Sequence, residues 1–132
     1  MKKFLLLGSA LLLTACASTE YQPAYMIDEI QVINNSREMI QQVTVSVPST
    51  GATFGCGNIA PFGICSNRMD KRRYEYNPIK IDWVFGNTAG QTEEFVIDVP
   101  AYFATGVPLR AMLAFSPEGV LSAYFEQEMP IR

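Results

Sequence analysis

The feature that most constrains the fold of this chain is a repeated two-residue alternation of apolar and polar side chains. Six stretches share the pattern, and their apolar positions fall within 30–32, 43–47, 79–85, 95–99, 109–115 and 121–125. Successive side chains of a β-strand point to opposite faces, so each stretch predicts a strand with one buried and one solvated face. Antiparallel sheets commonly have this arrangement. No stretch of ten or more residues carries a helical stripe.

Turn signals separate these stretches. Residues 86–90 are rich in Gly, Asn and Thr, and Ser116-Pro117-Glu118-Gly119 places Pro and Gly where a tight turn favours them. We therefore predict an all-β, antiparallel sandwich of six to eight strands. It resembles the immunoglobulin-like sandwich, with Trp83 in a central strand. The cysteines of antibody domains bridge the two sheets across a long sequence separation, whereas Cys56 and Cys65 are close neighbours.

The first sixteen residues carry a different pattern. Lys2 and Lys3 precede an apolar run over 4–13, which is shorter than the roughly 20 residues that a transmembrane helix needs. The run ends in Leu13-Thr14-Ala15-Cys16. A basic start, a short apolar run and small residues at its end are typical of a secretory signal peptide. The alternative is an ordinary signal peptide with an incidental cysteine, but the four residues resemble the lipobox of bacterial lipoproteins.

This resemblance implies a cellular location and a membrane anchor. Residues 1–15 would be cleaved, and Cys16 would carry the lipid as the new N-terminus. Residues 16–24 would form a short tether that reaches about 30 Å at ~3.5 Å per residue, and 25–132 would form a single domain. Ala17 stands where an Asp would signal inner-membrane retention, which implies the outer membrane and its periplasmic side. Three acyl chains exceed the two signals that stable anchoring requires.

Charge and composition disfavour several functions. The chain has 10 Lys and Arg against 13 Asp and Glu, and it contains no histidine. Loss of Lys2 and Lys3 with the signal peptide would leave eight basic residues and a side-chain charge of −5, which argues against nucleic-acid binding. The lack of histidine removes Ser-His-Asp and Cys-His catalysis and imidazole zinc sites. We predict no catalytic residue, metal site or cofactor.

A pair of carboxylates is the remaining arrangement through which this chain could act as an enzyme. A cell-wall hydrolase of the glycosidase type would need two carboxylates that converge. Glu93 and Glu94 are neighbours and should point to opposite faces of a strand, whereas Glu126 and Glu128 share a face near the C-terminus. Solvated charge explains all four residues, so this function is the most distant alternative.

Cys56 and Cys65 are the pair that remains once Cys16 is lipidated, and we predict that they form a disulfide in an oxidising compartment. The connection between them is apolar. Either Ile59, Phe62 and Ile64 fold back to plug one end of the sandwich, or the loop is rigid and presents these side chains to a partner.

A basic run follows directly. Four of the eight basic residues outside the signal lie in six positions, namely Arg68, Lys71, Arg72 and Arg73. They are interpreted either as a solvated loop or as an anion-binding patch for phosphates of lipid or lipopolysaccharide, or for an acidic protein face.

Together these features predict a lipid-anchored, periplasm-facing, non-enzymatic binding or assembly module. Its partners would be the membrane, through the anchor, and another envelope protein or an anionic envelope component. The predicted contact residues are Phe62, Ile64, Arg68, Lys71, Arg72 and Arg73. The alternative is a structural accessory subunit of a larger envelope complex.

Overall fold

The computed structural model describes residues 24–128, which form eight strands in two four-stranded sheets. The strands are β1 Met26–Asn34, β2 Ile40–Val47, β3 Ala52–Ile59, β4 Ile64–Arg73, β5 Lys80–Phe85, β6 Thr88–Gln91, β7 Leu109–Phe115 and β8 Leu121–Gln127. Sheet 1 has the order β4-β1-β7-β8 and sheet 2 the order β3-β2-β5-β6. The predicted all-β sandwich is confirmed. Its ladders are antiparallel except that β1 runs parallel to β7. The described residues contain no helix that is long and apolar enough to cross a membrane.

The core lies between the two sheets and is built from the predicted alternation. Its most deeply buried apolar side chains include Val32, Ile40, Val43, Ile81, Leu109, Leu113 and Phe115. Trp83 lies in the interior strand β5, as predicted, and its partly buried ring packs edge-on against Phe115 at 5.0 Å. The ring also lies across Gly90, where a Cβ atom would come within 2.6 Å of it. A side chain at position 90 would therefore displace the tryptophan.

The strand predicted over 95–99 is wrong. Only Phe95 pairs with another residue, in an isolated bridge to Ile79. Ile97 is nevertheless buried, and its carbonyl oxygen accepts a hydrogen bond of 2.8 Å from the Tyr74 hydroxyl. The apolar alternation of residues 95–99 therefore reflects a connecting segment that packs against the core without forming a strand.

The turns agree better with the sequence. A hairpin is present at 86–90 as predicted, but its turn is confined to Gly86 and Asn87, since Phe85 pairs with Thr88 and residues 88–90 belong to strand β6. The predicted turn at 116–119 is confirmed, because the Gly119 amide donates to the Ser116 carbonyl at 2.8 Å.

The disulfide joins the two sheets at one edge. Cys56 in β3 and Cys65 in β4 are bonded, as predicted, with 5.9 Å between their Cα atoms. β3 is an edge strand of sheet 2 and β4 an edge strand of sheet 1. The short sequence separation still bridges the sheets because the chain changes sheet at the turn between the two cysteines.

The strand directions give the sandwich two distinct ends. β1 begins at Met26 opposite Arg73 and reaches Ile33 opposite Ile64. We call the end where β1 begins the N-terminal end, and the opposite end, where β1 finishes, the loop end. The two ends are about 24 Å apart, since these seven residue steps each rise ~3.4 Å.

Candidate functional site: the loop end of the sandwich

The loop end collects four connections, 35–39, 60–63, 86–87 and 116–120. Three of them, together with the first residue of β4, expose large apolar side chains: Met39, Phe62, Ile64 and Val120. These are half of the eight exposed large hydrophobic residues in the described range. Scattered apolar residues are normal on a surface, but several at one end of a rigid scaffold are typical of a protein-binding site.

Phe62 occupies a backbone position that favours glycine. The Gly63 amide donates to the Ala60 carbonyl at 2.8 Å, which closes a four-residue turn with Pro61 at its second position. Phe62 follows with a φ of 59°. Proline fixes φ near −65°, so this is a type II turn, in which the third position normally holds Gly or Asn. A left-handed residue with a Cβ atom costs about 1–2 kcal/mol.

Packing does not explain this strain. The Phe62 side chain is 66% exposed, so the ring contributes little to the core. Strained backbone positions persist where the surrounding structure fixes them, and they concentrate at functional sites. Phe62 is therefore the strongest candidate contact residue of this chain. The expected apolar plug is correct for Ile59, which is buried, and wrong for Phe62 and Ile64.

A buried asparagine holds the turn in place. The Asn34 side chain is fully buried, and its Nδ2 lies 3.1 Å from both the Ile59 and Ala60 carbonyl oxygens and 2.7 Å from that of Glu38. Its Oδ1 accepts from the amide and the hydroxyl of Ser36, at 2.9 and 2.7 Å. Asn34 thus ties loop 35–39 to turn 60–63, while the disulfide fixes the strands that lead to the turn.

The structure separates the two regions that the sequence predicts as contacts. Phe62 and Ile64 lie at the loop end, whereas Arg72 and Arg73 pair with Ile27 and Met26 at the N-terminal end. The basic run belongs to strand β4 and is not a loop, which corrects the sequence prediction. Charged side chains on an edge strand discourage pairing with another chain, and this accounts for the run in structural terms.

Arg68 lies between the two ends and faces a buried carboxylate. Glu29 and the core residue Val32 are three residues apart in β1, so their side chains point to opposite faces, and Glu29 lies on the outer face of sheet 1. It is nevertheless only 2% exposed. It accepts hydrogen bonds from the Ser66 hydroxyl, from Gln31 Nε2 at 2.9 Å and from Arg110 Nε at 3.1 Å. Arg68 adds an ion pair at 3.6 Å. Neighbouring side chains, and not the second sheet, therefore cover the carboxylate.

These contacts determine the protonation of Glu29. Burial raises the pKa of the carboxyl, but the hydrogen bonds from Ser66, Gln31 and Arg110, with the charge of Arg68, outweigh it, so the pKa of Glu29 lies below its usual value. The sequence pattern did not identify this network. Finding it requires the register that places Ser66, Arg68 and Arg110 around one residue of β1.

The candidate carboxylate pairs lie apart from the loop end. Glu93 and Glu94 are both exposed in the segment after β6. Glu126 and Glu128 both contact Arg110, at 3.9 and 3.7 Å, so they share a face as predicted.

Comparison with known proteins assigns neither a family nor a function to this chain. No family model matches the chain, and no curated protein matches it. A similar solved structure is the NMR structure of a protein from Eubacterium rectale, with 10% sequence identity and a TM-score of 0.43. The similarity covers 81% of this chain and 92% of that one. At this level of similarity, no function or partner carries over to the present chain.

Proposed function

We propose that this chain is an outer-membrane lipoprotein, anchored through Cys16 and facing the periplasm, that acts as a non-enzymatic binding or assembly module. Its loop end contacts a partner protein through Met39, Phe62, Ile64 and Val120. The observation that carries the proposal is Phe62, an exposed aromatic side chain on a strained turn that Asn34 and the disulfide hold rigid. A rigid apolar anchor of this kind loses little conformational entropy on binding.

The position of the tether supports this orientation. The described chain begins at Ala24 and enters β1 at the N-terminal end. The eight residue steps from Cys16 span at most about 28 Å at ~3.5 Å each. A lipid on Cys16 would therefore keep the N-terminal end near the bilayer and leave the loop end directed away from it. Arg72 and Arg73 would then lie on the membrane side, where an anionic envelope component is within reach.

A structural accessory subunit of a larger envelope complex is the second candidate. The apolar character of the four loop-end side chains favours it, because interfaces of permanent complexes are more hydrophobic than those of transient ones. The two candidates use the same surface and differ in the lifetime of the complex.

Photo-crosslinking in living cells tests the proposal. A photoreactive amino acid at position 62 should give a discrete crosslinked product. The matched control is position 102, because Tyr102 is 85% exposed and precedes Phe103, whose carbonyl accepts from Tyr25 at the N-terminal end. Position 102 should not give that product. In a Cys16→Ser background, palmitate labelling and the crosslink should both disappear. The proposal is wrong if position 62 gives no product, or if both positions give the same one.

A further inference from the structure

One edge of the sandwich lacks the features that protect the other three. The register of β3 against β2 shifts twice, β4 carries the basic run, and β6 has only four residues. β8 has seven residues in continuous register with β7, it contains neither proline nor a basic residue, and Glu126 is its one charged side chain. Regular, unprotected edge strands are the sites at which extended peptides add to a sheet.

The turn before β8 shows which backbone groups of this edge are free. The Ser116 amide donates to the Val120 carbonyl at 2.8 Å. Hydrogen-bonded and non-bonded pairs alternate along an antiparallel ladder. The amides of Leu121, Ala123 and Phe125 therefore point away from β7. Among residues 24–128, β8 forms a ladder with β7 alone, and none of the turn and loop bonds uses these amides.

Charge indicates what kind of strand fits here. Arg68, Glu29, Arg110 and Glu126 lie in one row across the outer face of sheet 1, so the sign of the charge alternates from strand to strand. Arg110 contacts three carboxylates, at 3.1 Å for Glu29 and at 3.7–3.9 Å for the other two. The surplus negative charge lies on the exposed side chains of Glu126 and Glu128 at the open edge.

We infer that β8 accepts an extended segment of another polypeptide as a fifth strand of sheet 1. The segment carries Lys or Arg opposite Glu126, which continues the alternating row, and an apolar side chain two residues away, opposite the exposed ring of Tyr124. The backbone bonds to Leu121, Ala123 and Phe125 supply the affinity, and the side chains supply the selectivity. This edge adjoins the loop-end surface only at Val120, which directly precedes Leu121, and it does not depend on the lipid anchor.

The test uses the full chain, labelled with nitrogen-15, in detergent micelles. The probe is a nine-residue peptide of alternating valine and threonine with one lysine, and the matched control peptide has glutamate in place of the lysine. The lysine peptide should slow hydrogen exchange at the amides of Leu121, Ala123 and Phe125. It should bind about fivefold more tightly than the control, as expected for one exposed ion pair.

Two variants separate backbone pairing from charge. Glu126→Lys should reverse the preference between the peptides. Ala123→Pro removes an outward amide without breaking a bond to β7 and should lower affinity at least tenfold; if this variant does not fold, Glu126→Lys still decides. Phe62→Gly should leave peptide binding unchanged, so failure of the loop-end proposal would be seen separately.

Three results would overturn the inference. The first is unchanged exchange at millimolar lysine peptide, and the second is equal binding of the two peptides. The third is protection of the same amides that grows with protein concentration in the absence of peptide, which would make the occupant of the edge a second copy of this chain.

Discussion

Replacing Asn34 with leucine should lower the free energy of unfolding by about 4 kcal/mol. The side chain is fully buried, and its amide bonds to groups in loop 35–39 and turn 60–63. Leucine has a similar shape but can neither donate nor accept, so the Ile59 carbonyl and the amide and hydroxyl of Ser36 each lose a buried partner. Each buried group left without a partner costs about 1–3 kcal/mol. Urea unfolding followed by Trp83 fluorescence measures the change.

Asn35→Ala is the matched control, because the Asn35 side chain is exposed and only its backbone amide is used, in a bond to the Phe115 carbonyl. This variant should stay within about 0.5 kcal/mol of the parent chain. If both variants lose the same stability, or if Asn34→Leu loses less than about 1 kcal/mol, Asn34 does not hold the turn.

Replacing Glu29 with alanine should cost about 3 kcal/mol at neutral pH. The change removes the carboxylate that accepts hydrogen bonds from Ser66, Gln31 and Arg110. Removal of one partner from a buried charge network is strongly destabilising. Glu126→Ala is the control, since Glu126 contacts the same Arg110 but is 48% exposed at its side chain. It should cost less than about 1 kcal/mol. Equal losses in the two variants would contradict this account of the network.

The same carboxylate predicts a pH signature. The pKa of Glu29 is lower in the folded chain than its ordinary value of 4.5, so its ionised form stabilises the fold at neutral pH. This contribution is complete above pH 4.5 and is lost as the pH falls through the lower, folded pKa. The stability difference between the parent chain and Glu29→Gln should therefore shrink below pH 4.5. Urea unfolding at several pH values measures it, and a constant or growing difference would contradict the network.

The alternation predicted the strands that have one face in the core. β1, β2, β5, β7 and β8 were all identified by it, and residues such as Val32, Val45 and Leu113 are buried as expected. β3, β4 and β6 were not predicted. β3 and β4 bury little of either face, and β3 also contains Gly55 and Gly57. β6 covers residues that the sequence assigned to the turn at 86–90. Phe95–Val99 misled the prediction, since a buried crossing segment produces the same apolar periodicity as a strand.

The sequence identified part of the candidate site. Phe62 and Ile64 were singled out because an apolar connection between two cysteines is unusual, but the sequence left open whether they pack inward. Their exposure depends on the type II turn, whose left-handed third position is a tertiary property. Met39 and Val120 were missed because only the strand directions bring their loops to the same end. The basic run was grouped with Phe62 because the two are close in sequence, whereas β4 carries them to opposite ends.

The binding role of the loop end is tested most directly by Phe62→Gly, with stability and partner capture measured on the same variant. Glycine adopts the φ of 59° without strain, so the relief of about 1–2 kcal/mol should offset the roughly 0.5–1 kcal/mol entropic penalty of glycine, and stability should hold or rise slightly. In this variant, crosslinking of the partner protein to a photoreactive residue at position 120 should fall at least tenfold.

Tyr102→Gly is the control for this measurement, because it removes an even more exposed aromatic ring outside the loop end and should leave capture unchanged. Retained stability with lost capture in Phe62→Gly is the result that the account predicts. A loss of more than about 1 kcal/mol would show that the ring serves the fold, and undiminished capture would show that the partner does not use Phe62.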